Sequence, residues 1–193
     1  MLSAALAAGG LSACTESDGP RFHAKDITGV LPALTFQLTA GSGRTLTAAD
    51  VRGKTTLLYF GYTQCPDACP MTLTYIDDAL KQLGAEAGNV RVLFVSVDPQ
   101  RDTPQVLKRY AATFGSEFIG LTGTDDQLTR VTKRYRVAYR RDTPDSNGDY
   151  TVYHSSAVFV FDRDGHARLL ATPTGTNDGL AADLKTLIDQ RSS

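Results

Sequence analysis

The sequence contains no tryptophan, only two methionines, and only three cysteines and three histidines among its 193 residues. It also lacks an excess of either charge, because 20 basic and 21 acidic side chains give a formal net charge of −1. This balance provides no electrostatic basis for binding nucleic acid or an acidic membrane surface. No apolar run reaches the ~20 residues that a membrane-spanning helix needs. The apolar fraction of 41% is sufficient for a folded core, and the chain length predicts one domain with a short leader.

The N-terminal residues form a small, apolar leader that ends at a cysteine. Residues 1–13 are mostly Ala, Leu, Gly and Ser, and a polar stretch follows Cys14. This pattern is typical of the end of a secretory signal peptide. Leu11–Cys14 resembles a bacterial lipobox, although no Lys or Arg precedes the apolar run. We therefore expect a signal peptide over 1–13, a lipidated Cys14 with a tether over 14–29, and a folded domain over 30–193. Such a protein is lipid-anchored at the extracytoplasmic face of the cell membrane.

The rest of the chain alternates strands with helices. Thr56–Tyr62 and Val90–Val97 are apolar runs of strand length, and the second is β-branched, as in strands buried on both faces. Thr103 and Thr124 predict helix N-caps, and Asn177 is expected to cap the last helix. Shorter strands are predicted at Leu34–Leu38, Arg44–Leu46, Phe118–Leu121, Ala157–Phe161 and Ala167–Ala171. This order predicts an α/β, thioredoxin-like fold. Its central, mainly parallel sheet is flanked by helices, with an N-terminal hairpin and a C-terminal β-hairpin plus helix.

The two remaining cysteines, Cys65 and Cys69, follow the predicted strand Thr56–Tyr62 directly. An amphipathic segment comes next, so both thiols lie at the start of a helix, where they can face the same way. The first-turn N–H groups and the helix dipole favour thiolate over thiol there. A structural disulfide would close a very short loop, and short loops gain least from cross-linking. A functional pair is the better explanation, and because a thiolate is both a nucleophile and a soft metal ligand, two chemistries remain open.

Histidine completes the candidate site. His23 and His166 are expected at the surface, whereas His154 stands between a polar loop and an apolar strand. Two thiolates with one imidazole form a three-coordinate soft site that suits copper, while zinc would need a fourth ligand. Asp98 ends the neighbouring central strand, at the sheet edge where α/β proteins place their sites. It either orients His154 or otherwise supports the ligands from behind, or it only forms the turn before Pro99.

Several motifs occur in a fixed order around these residues. They are Phe60–Thr63 before the thiols, Pro70 after them, the stretch Ser96–Pro104, and His154-Ser155 before an apolar strand. Together they resemble the Sco/SenC family of membrane-anchored copper chaperones over about residues 30–190. Two positions depart from the family pattern: Tyr153, where many members have Asp, and Gln100, where an acidic residue is frequent.

The resemblance implies a thioredoxin-like fold and one copper ion per chain, Cu(I) or Cu(II), held by Cys65, Cys69 and His154. It also implies a role in assembling the binuclear copper centre of cytochrome c oxidase. The implied partners are the copper-bearing subunit of that oxidase and, as a further candidate, another copper carrier. The two departures concern the surroundings of the ligands, and therefore the tuning of copper affinity and redox potential.

An enzymatic alternative uses the same thiols. A thiol–disulfide reductase would keep the cysteines of the oxidase copper site reduced, with Cys65 and Cys69 as its redox-active pair. Thioredoxin-type reductases usually have two residues between the thiols rather than three, and the wider turn suits a metal better. A peroxidase of the peroxiredoxin kind fits less well, because the Thr or Ser before its reactive cysteine is not in that arrangement here. A chaperone needs His154, so we expect its ring to converge with both sulfurs at one end of the sheet.

Overall fold

The computed structural model describes residues 21–146, 149–174 and 176–190, so the leader and Cys14 lie outside it. The strands are β1 (Lys25–Asp26), β2 (Gln37–Ala40), β3 (Thr45–Thr47), β4 (Thr55–Gly61), β5 (Val90–Ser96), β6 (Phe118–Thr122), β7 (Tyr139–Arg141), β8 (Val152–His154), β9 (Val158–Phe161) and β10 (Ala167–Ala171). The helices are α1 (Ala68–Leu83), α2 (Pro104–Ala112), α3 (Asp125–Arg134) and α4 (Asn177–Asp189). Short 3₁₀ helices occupy Ala48–Val51 and Gly84–Asn89.

Among the described residues, eight strands form one sheet in the order β1-β10-β9-β4-β5-β6-β2-β3. The three strands β4, β5 and β6 run parallel at its centre, and antiparallel strands extend it on both sides. All seven residues of β4 are buried, as the apolar run predicts for a strand covered on both faces. Strands β7 and β8 form a separate two-stranded hairpin. The architecture confirms the predicted thioredoxin-like α/β fold.

Helices cover both faces of the sheet. The ring of Phe94 in β5 contacts Tyr59 of β4 and Tyr110 of α2, which places α2 on the Tyr59 face. Helix α1 shares that face, since consecutive right-handed crossovers in one direction lie on one side, and α4 packs against α1. On the opposite face, Tyr135 at the end of α3 contacts Phe159 and Phe161 of β9. The site described below lies where β4 ends and α1 begins.

Two local predictions are wrong in detail. The N-terminal hairpin begins at Gln37 rather than Leu34 and includes Ala40, which pairs with Leu121 of β6. The last helix is capped by Thr176 instead of Asn177, and the Thr176 side chain accepts a hydrogen bond from the backbone N–H of Gly179. Two adjacent residues with capping propensity compete here, and propensity alone does not choose between them.

The N-terminal boundary of the domain is set by a contact that we call the Asp183 latch. The buried carboxylate of Asp183 accepts hydrogen bonds from the backbone N–H groups of His23 and Ala24, at 2.8 and 2.7 Å, and contacts the His23 ring. Strand β1 then pairs with β10. The described part of the segment expected as a tether over 14–29 therefore packs onto the fold, with Phe22 against the core and His23 and Ala24 held by Asp183. Among the described residues, no helix is long and apolar enough to span a bilayer.

Candidate metal centre

The structure brings the three predicted ligands together. The Cys69 sulfur lies 3.2 Å from His154 Nε2 across 85 positions of sequence, and the ligand atoms of Cys65, Cys69 and His154 all lie within 4.8 Å of one another. Cys65 precedes α1 and is half-buried, whereas Cys69, in the first turn of α1, is fully buried. A soft metal ion lies about 2.3 Å from a thiolate and about 2.0 Å from an imidazole nitrogen, so one ion can bridge these donors.

Hydrogen bonds prepare the donor atoms for such an ion. His154 Nδ1 lies 3.0 Å from the carbonyl oxygen of Ser155, to which its N–H donates. That bond leaves the lone pair of Nε2 directed at the Cys69 sulfur. The backbone N–H of Cys69 points at the sulfur of Cys65, at 3.4 Å. The unprotonated nitrogen of the imidazole and both sulfur atoms therefore point into the same space.

Burial sets the protonation of this site in the metal-free protein. Desolvation raises the pKa of Cys69 to about 12 and lowers the pKa of His154, because burial disfavours the charged form of each group. The helix start favours thiolate over thiol, but for the buried Cys69 desolvation outweighs this effect. At neutral pH its S–H faces a neutral His154 ring, and a metal ion has to displace that proton.

Aromatic rings and a glycine enclose the buried sulfur. The Tyr59 and Tyr62 rings meet the His154 ring edge-on, with centroids 6.0 and 5.8 Å away. Gly61 ends β4 directly beside Cys69, and a Cβ built there would lie 2.6 Å from the Cys69 sulfur and 2.8 Å from Phe94 Cε2. The close approach of α1 to the strand thus requires glycine at this position.

A buried carboxylate fixes the start of the thiol loop. Asp102 is fully buried, and it accepts hydrogen bonds from the backbone N–H of Thr63, at 2.9 Å, and from the hydroxyls of Thr63 and Ser96. The same Ser96 hydroxyl accepts the backbone N–H of Asp98. The loop that carries Cys65 is thereby fastened to the end of β5. The sequence alone does not reveal this role of Asp102, because a single Asp before a helix cap is typical of an ordinary turn.

Asp98 fixes the segment that carries His154, but not the ring itself. Its carboxylate accepts hydrogen bonds from Arg101 Nε and from the Tyr150 hydroxyl, the latter at 2.6 Å. The Arg101 guanidinium stacks 3.6 Å from the centre of the Tyr150 ring and donates to the Tyr150 carbonyl. The Ser155 carbonyl, rather than Asp98, accepts the hydrogen bond from His154 Nδ1, and the alternative of a supporting role for Asp98 behind the ligands stays a prediction. We call Asp98, Arg101 and Tyr150 the hairpin clamp.

A second fastening holds the other strand of the β7–β8 hairpin. The Arg141 guanidinium donates through Nε and Nη2 to the Val97 carbonyl, at 3.1 and 2.7 Å. In the hairpin register Tyr139 pairs with His154, and Arg140 pairs with Tyr153. His154 therefore projects from a small element that is tied to the main sheet by two arginines.

Another group of potential ligands, Asp162, Asp164 and His166, lies on the turn between β9 and β10. There Asp162 accepts the backbone N–H groups of Asp164 and His166. These contacts are those of an Asx turn and explain the cluster structurally. The side chains of His166 and His23 are 67% and 63% exposed, as expected for surface residues.

The fold and the dithiol–imidazole cluster define a thioredoxin-like protein with a candidate soft-metal site. Comparison with known proteins is more specific, because the SCO1/SenC family model matches residues 29–189. This chain belongs to the SCO1/SenC family.

Curated relatives agree with this assignment. The mitochondrial protein SCO2 homolog of Bos taurus is 42% identical over 132 residues, which are 67% of this chain and 50% of that protein. The SCO2-like protein RP587 of Rickettsia prowazekii is 37% identical over 131 residues, covering 67% and 64%. The match to this chain thus spans between half and about two-thirds of the length of these relatives.

Two similar solved structures contain copper. ScoI of Bradyrhizobium japonicum with copper bound has a TM-score of 0.74 and 39% identity, covering 80% of this chain and 98% of that one. Yeast Sco1 with copper bound has a TM-score of 0.75 and 30% identity, covering 83% and 91%.

Proposed function

We propose that this chain is an extracytoplasmic copper metallochaperone that carries one copper ion on Cys65, Cys69 and His154. The main support is that the three donor atoms converge, with the Cys69 sulfur 3.2 Å from His154 Nε2. Two sulfurs and one imidazole form a donor set that suits copper. The copper-bound structures of ScoI and yeast Sco1 support the choice of metal.

The proposed recipient is the copper-bearing subunit of cytochrome c oxidase, in which the chaperone assists assembly of the binuclear copper centre. This part rests on membership of the family. A lipid on Cys14 would hold the domain beside a membrane-bound oxidase, and another copper carrier would supply the ion. The ion is cargo, so the site has to bind it firmly and also release it.

The ligands differ in how they can release cargo. Cys69 is fully buried, whereas Cys65 and His154 are half-buried and lie at the surface of the site. An acceptor thiolate can therefore approach the ion from the side of Cys65 and His154. Displacement of His154 first needs only a movement of the β7–β8 hairpin, which leaves the sheet intact.

A thiol–disulfide reductase is the second candidate, because one observation favours it. The pair combines a partly exposed thiol, Cys65, with a buried one, Cys69, and both are free in the structure. An accessible attacking sulfur with a protected second sulfur suits thiol exchange. The reductase would use Cys65 and Cys69 but has no requirement for the imidazole of His154.

The test is anaerobic copper titration of the wild-type protein and of His154→Ala, with metal content and absorption spectra recorded. One equivalent of copper is expected for the wild type. Loss of either thiol should abolish binding, since it removes one of the two soft anionic ligands and leaves a single thiolate beside a neutral imidazole. His154→Ala should bind Cu(I) with a mild loss, because Cu(I) accepts two thiolates, and should lose Cu(II) almost completely.

His166→Ala is the matched control, because this exposed histidine lies on the turn between β9 and β10. It should behave as wild type with both oxidation states. If the wild type binds no copper while His154→Ala retains thiol exchange with a peptide of the oxidase copper site, the chaperone function is excluded. The reductase function would then stand.

A further inference from the structure

The even charge balance of the whole chain conceals a strongly basic stretch. Residues 130–141 contain six of the 20 basic side chains and no acidic one. Five of the six are exposed, and we call them the basic face: Arg130, Lys133, Arg134, Arg136 and Arg140. They lie on the second half of α3, on the connection that follows it, and on β7. Like charges so close in sequence repel one another, so an anionic partner would stabilise this face.

The fold itself does not neutralise the basic face. In the part of the chain that the structure describes, its one ion pair joins Arg140 to Asp142, at 3.3 Å. The α3 dipole favours cations in the last turn of the helix, but Arg136 lies beyond it. There Arg136 adopts a φ of 56°, alone among the described non-glycine residues in having a positive φ. This left-handed region disfavours an arginine, and such an outlier points to a use for the side chain.

The basic face adjoins the hairpin that carries His154. Arg140 of β7 pairs with Tyr153 of β8, and its guanidinium lies 4.6 Å from the centre of the Tyr153 ring. Successive strand side chains point to opposite faces, so this pair lies on the outer face of the hairpin while the His154 ring faces the thiols. The Tyr153 side chain is exposed although it is aromatic. Exposed Tyr and Arg side chains are typical of protein interfaces.

We propose that the basic face docks an acidic surface of the protein that accepts the copper ion. This inference rests on the proposed chaperone function and adds the chemistry of its partner. Opposite charges attract over about 8 Å at physiological salt, and such steering speeds association and orients the partners. A docked acceptor would contact the hairpin whose movement displaces His154, without covering the imidazole ring.

An anionic membrane is the other surface that a basic face could bind, but the geometry favours a protein. The chain enters the fold at the Asp183 latch on α4, which packs against α1 on one face of the sheet. Helix α3 covers the opposite face, where Tyr135 contacts β9. An anchor at Cys14 would hold the α4 side towards the bilayer and direct the basic face away from it.

The test is anaerobic transfer of Cu(I) from the full-length protein to three synthetic peptides. Each peptide carries the same pair of cysteines, flanked by glutamate, glutamine or lysine residues, and the ion changes ligands without a change of oxidation state. In about 0.01 M salt, transfer from the wild type should be about 10-fold faster to the glutamate peptide than to the lysine peptide, the lower end for electrostatic steering. The difference should disappear in about 1 M salt, where the Debye length is about 3 Å.

The test variant combines Arg130→Gln, Lys133→Gln and Arg136→Asn, because asparagine tolerates a positive φ. These positions lie outside the metal centre and form no ion pair with any described residue. The variant should therefore bind one equivalent of copper as the wild type does. It should lose most of the preference for the glutamate peptide.

The matched control combines Arg44→Gln, Lys108→Gln and Arg109→Gln, which removes the same charge from exposed positions. Arg44 ends the turn between β2 and β3, and a Cβ at Gly41 in that turn would lie 2.8 Å from the backbone of Lys108. Because β2 runs antiparallel to β6, this turn lies at the sheet edge opposite the metal centre. The control should keep the preference of the wild type.

Equal transfer to all three peptides by the wild type, or equal loss of preference in both variants, would overturn the docking role while leaving the copper site intact. Flotation with phosphatidylglycerol vesicles, in a Cys14→Ala background so that no lipid contributes, tests the membrane. Vesicle binding that only the test variant loses, with its peptide preference unchanged, would overturn the docking role in favour of the membrane. No transfer from the wild type to any peptide would overturn the chaperone function and this role together.

Discussion

At the scale of single residues, the space for Cys69 depends on Gly61. A Cβ at this position would overlap both the Cys69 sulfur and the Phe94 ring, and these neighbours lie in a closely packed interior. Side chains of any size at residue 61 therefore compete directly with a proposed ligand. The constraint comes from steric volume and not from backbone conformation.

Gly61→Ala should separate α1 from β4 and displace the Cys69 sulfur. We expect a loss of about 1–3 kcal/mol in the free energy of unfolding, as for other overpacked cores, together with weaker copper binding. Denaturant unfolding and copper titration measure the two effects. Gly88→Ala is the control, since a Cβ there meets nothing within 4 Å. A Gly61→Ala variant with wild-type stability and affinity would contradict this account of the packing.

The protonation of Cys69 predicts a pH dependence. Burial raises the pKa of its thiol to about 12 from an ordinary value near 9, so copper has to displace a proton over the whole neutral range. Affinity should therefore rise with pH, by about tenfold per pH unit for this one proton. The lowered pKa of His154 keeps its ring neutral near pH 7, so imidazole protonation adds to the slope only in acid.

The raised pKa of Cys69 affects the stability of the metal-free protein in the opposite direction: copper affinity rises with pH, whereas this stability falls as the pH rises. A thiol with a raised pKa contributes stability below its unfolded value, and that contribution is lost as the pH rises from about 9 towards about 12. Chelator competition between pH 6 and 8 and apo unfolding between pH 8 and 10 test both signs. Copper affinity that does not change with pH would exclude a protonated Cys69 in the empty site.

At the scale of elements, the β7–β8 hairpin decides whether His154 reaches the thiols. It is a separate two-stranded unit, so its position depends on the hairpin clamp of Asp98, Arg101 and Tyr150 and on Arg141. The buried carboxylate of Asp98 accepts hydrogen bonds from both the Arg101 guanidinium and the Tyr150 hydroxyl. The clamp thus connects the end of β5 to the segment before β8.

Asp98→Asn keeps the size of this side chain but removes its charge. We expect a loss of about 2 kcal/mol in stability, since hydrogen bonds to charged groups are worth about 1.5–3 kcal/mol. Cu(II) affinity should fall in the same direction as in His154→Ala, but by less. Asp189→Asn is the control, because Asp189 is 62% exposed and its ion pair with Lys185 on α4 is at the surface. If Asp98→Asn left the hairpin and the affinity unchanged, the clamp would have no role in positioning His154.

These elements show what the sequence could and could not predict. Local patterns were sufficient to predict β4, β5, α1 and the thiol turn, because hydrophobic periodicity, capping residues and runs of β-branched residues are local signals. The partners of Asp98 were not predictable, since Tyr150 lies 52 positions away in a loop without a regular pattern. Tyr59 looked like one more apolar strand residue, and only the packed sheet reveals its unpartnered hydroxyl.

At the scale of the whole molecule, anchoring by Cys14 remains a prediction from the sequence. Cys14→Ala should release the protein from the membrane fraction or block its processing, and the mass of the wild type should include a lipid. Fractionation and mass spectrometry of the mature protein provide the measurement. Cys65→Ser is the control, because this thiol belongs to the folded domain and should leave fractionation unchanged. Membrane attachment of a processed Cys14→Ala protein, with its mass otherwise unchanged, would exclude the lipid anchor.

The Asp183 latch has a consequence for such an anchored protein. It fixes the chain at His23 and Ala24, so only the eight residues 15–22 separate His23 from Cys14. At about 3.5 Å per residue the segment spans at most ~30 Å. In a protein anchored at Cys14, the search for a membrane-bound acceptor would take place in a thin layer, where tethering raises effective concentrations towards the millimolar range. Inserting residues into this segment would lower the effective concentration of the acceptor without altering the metal site.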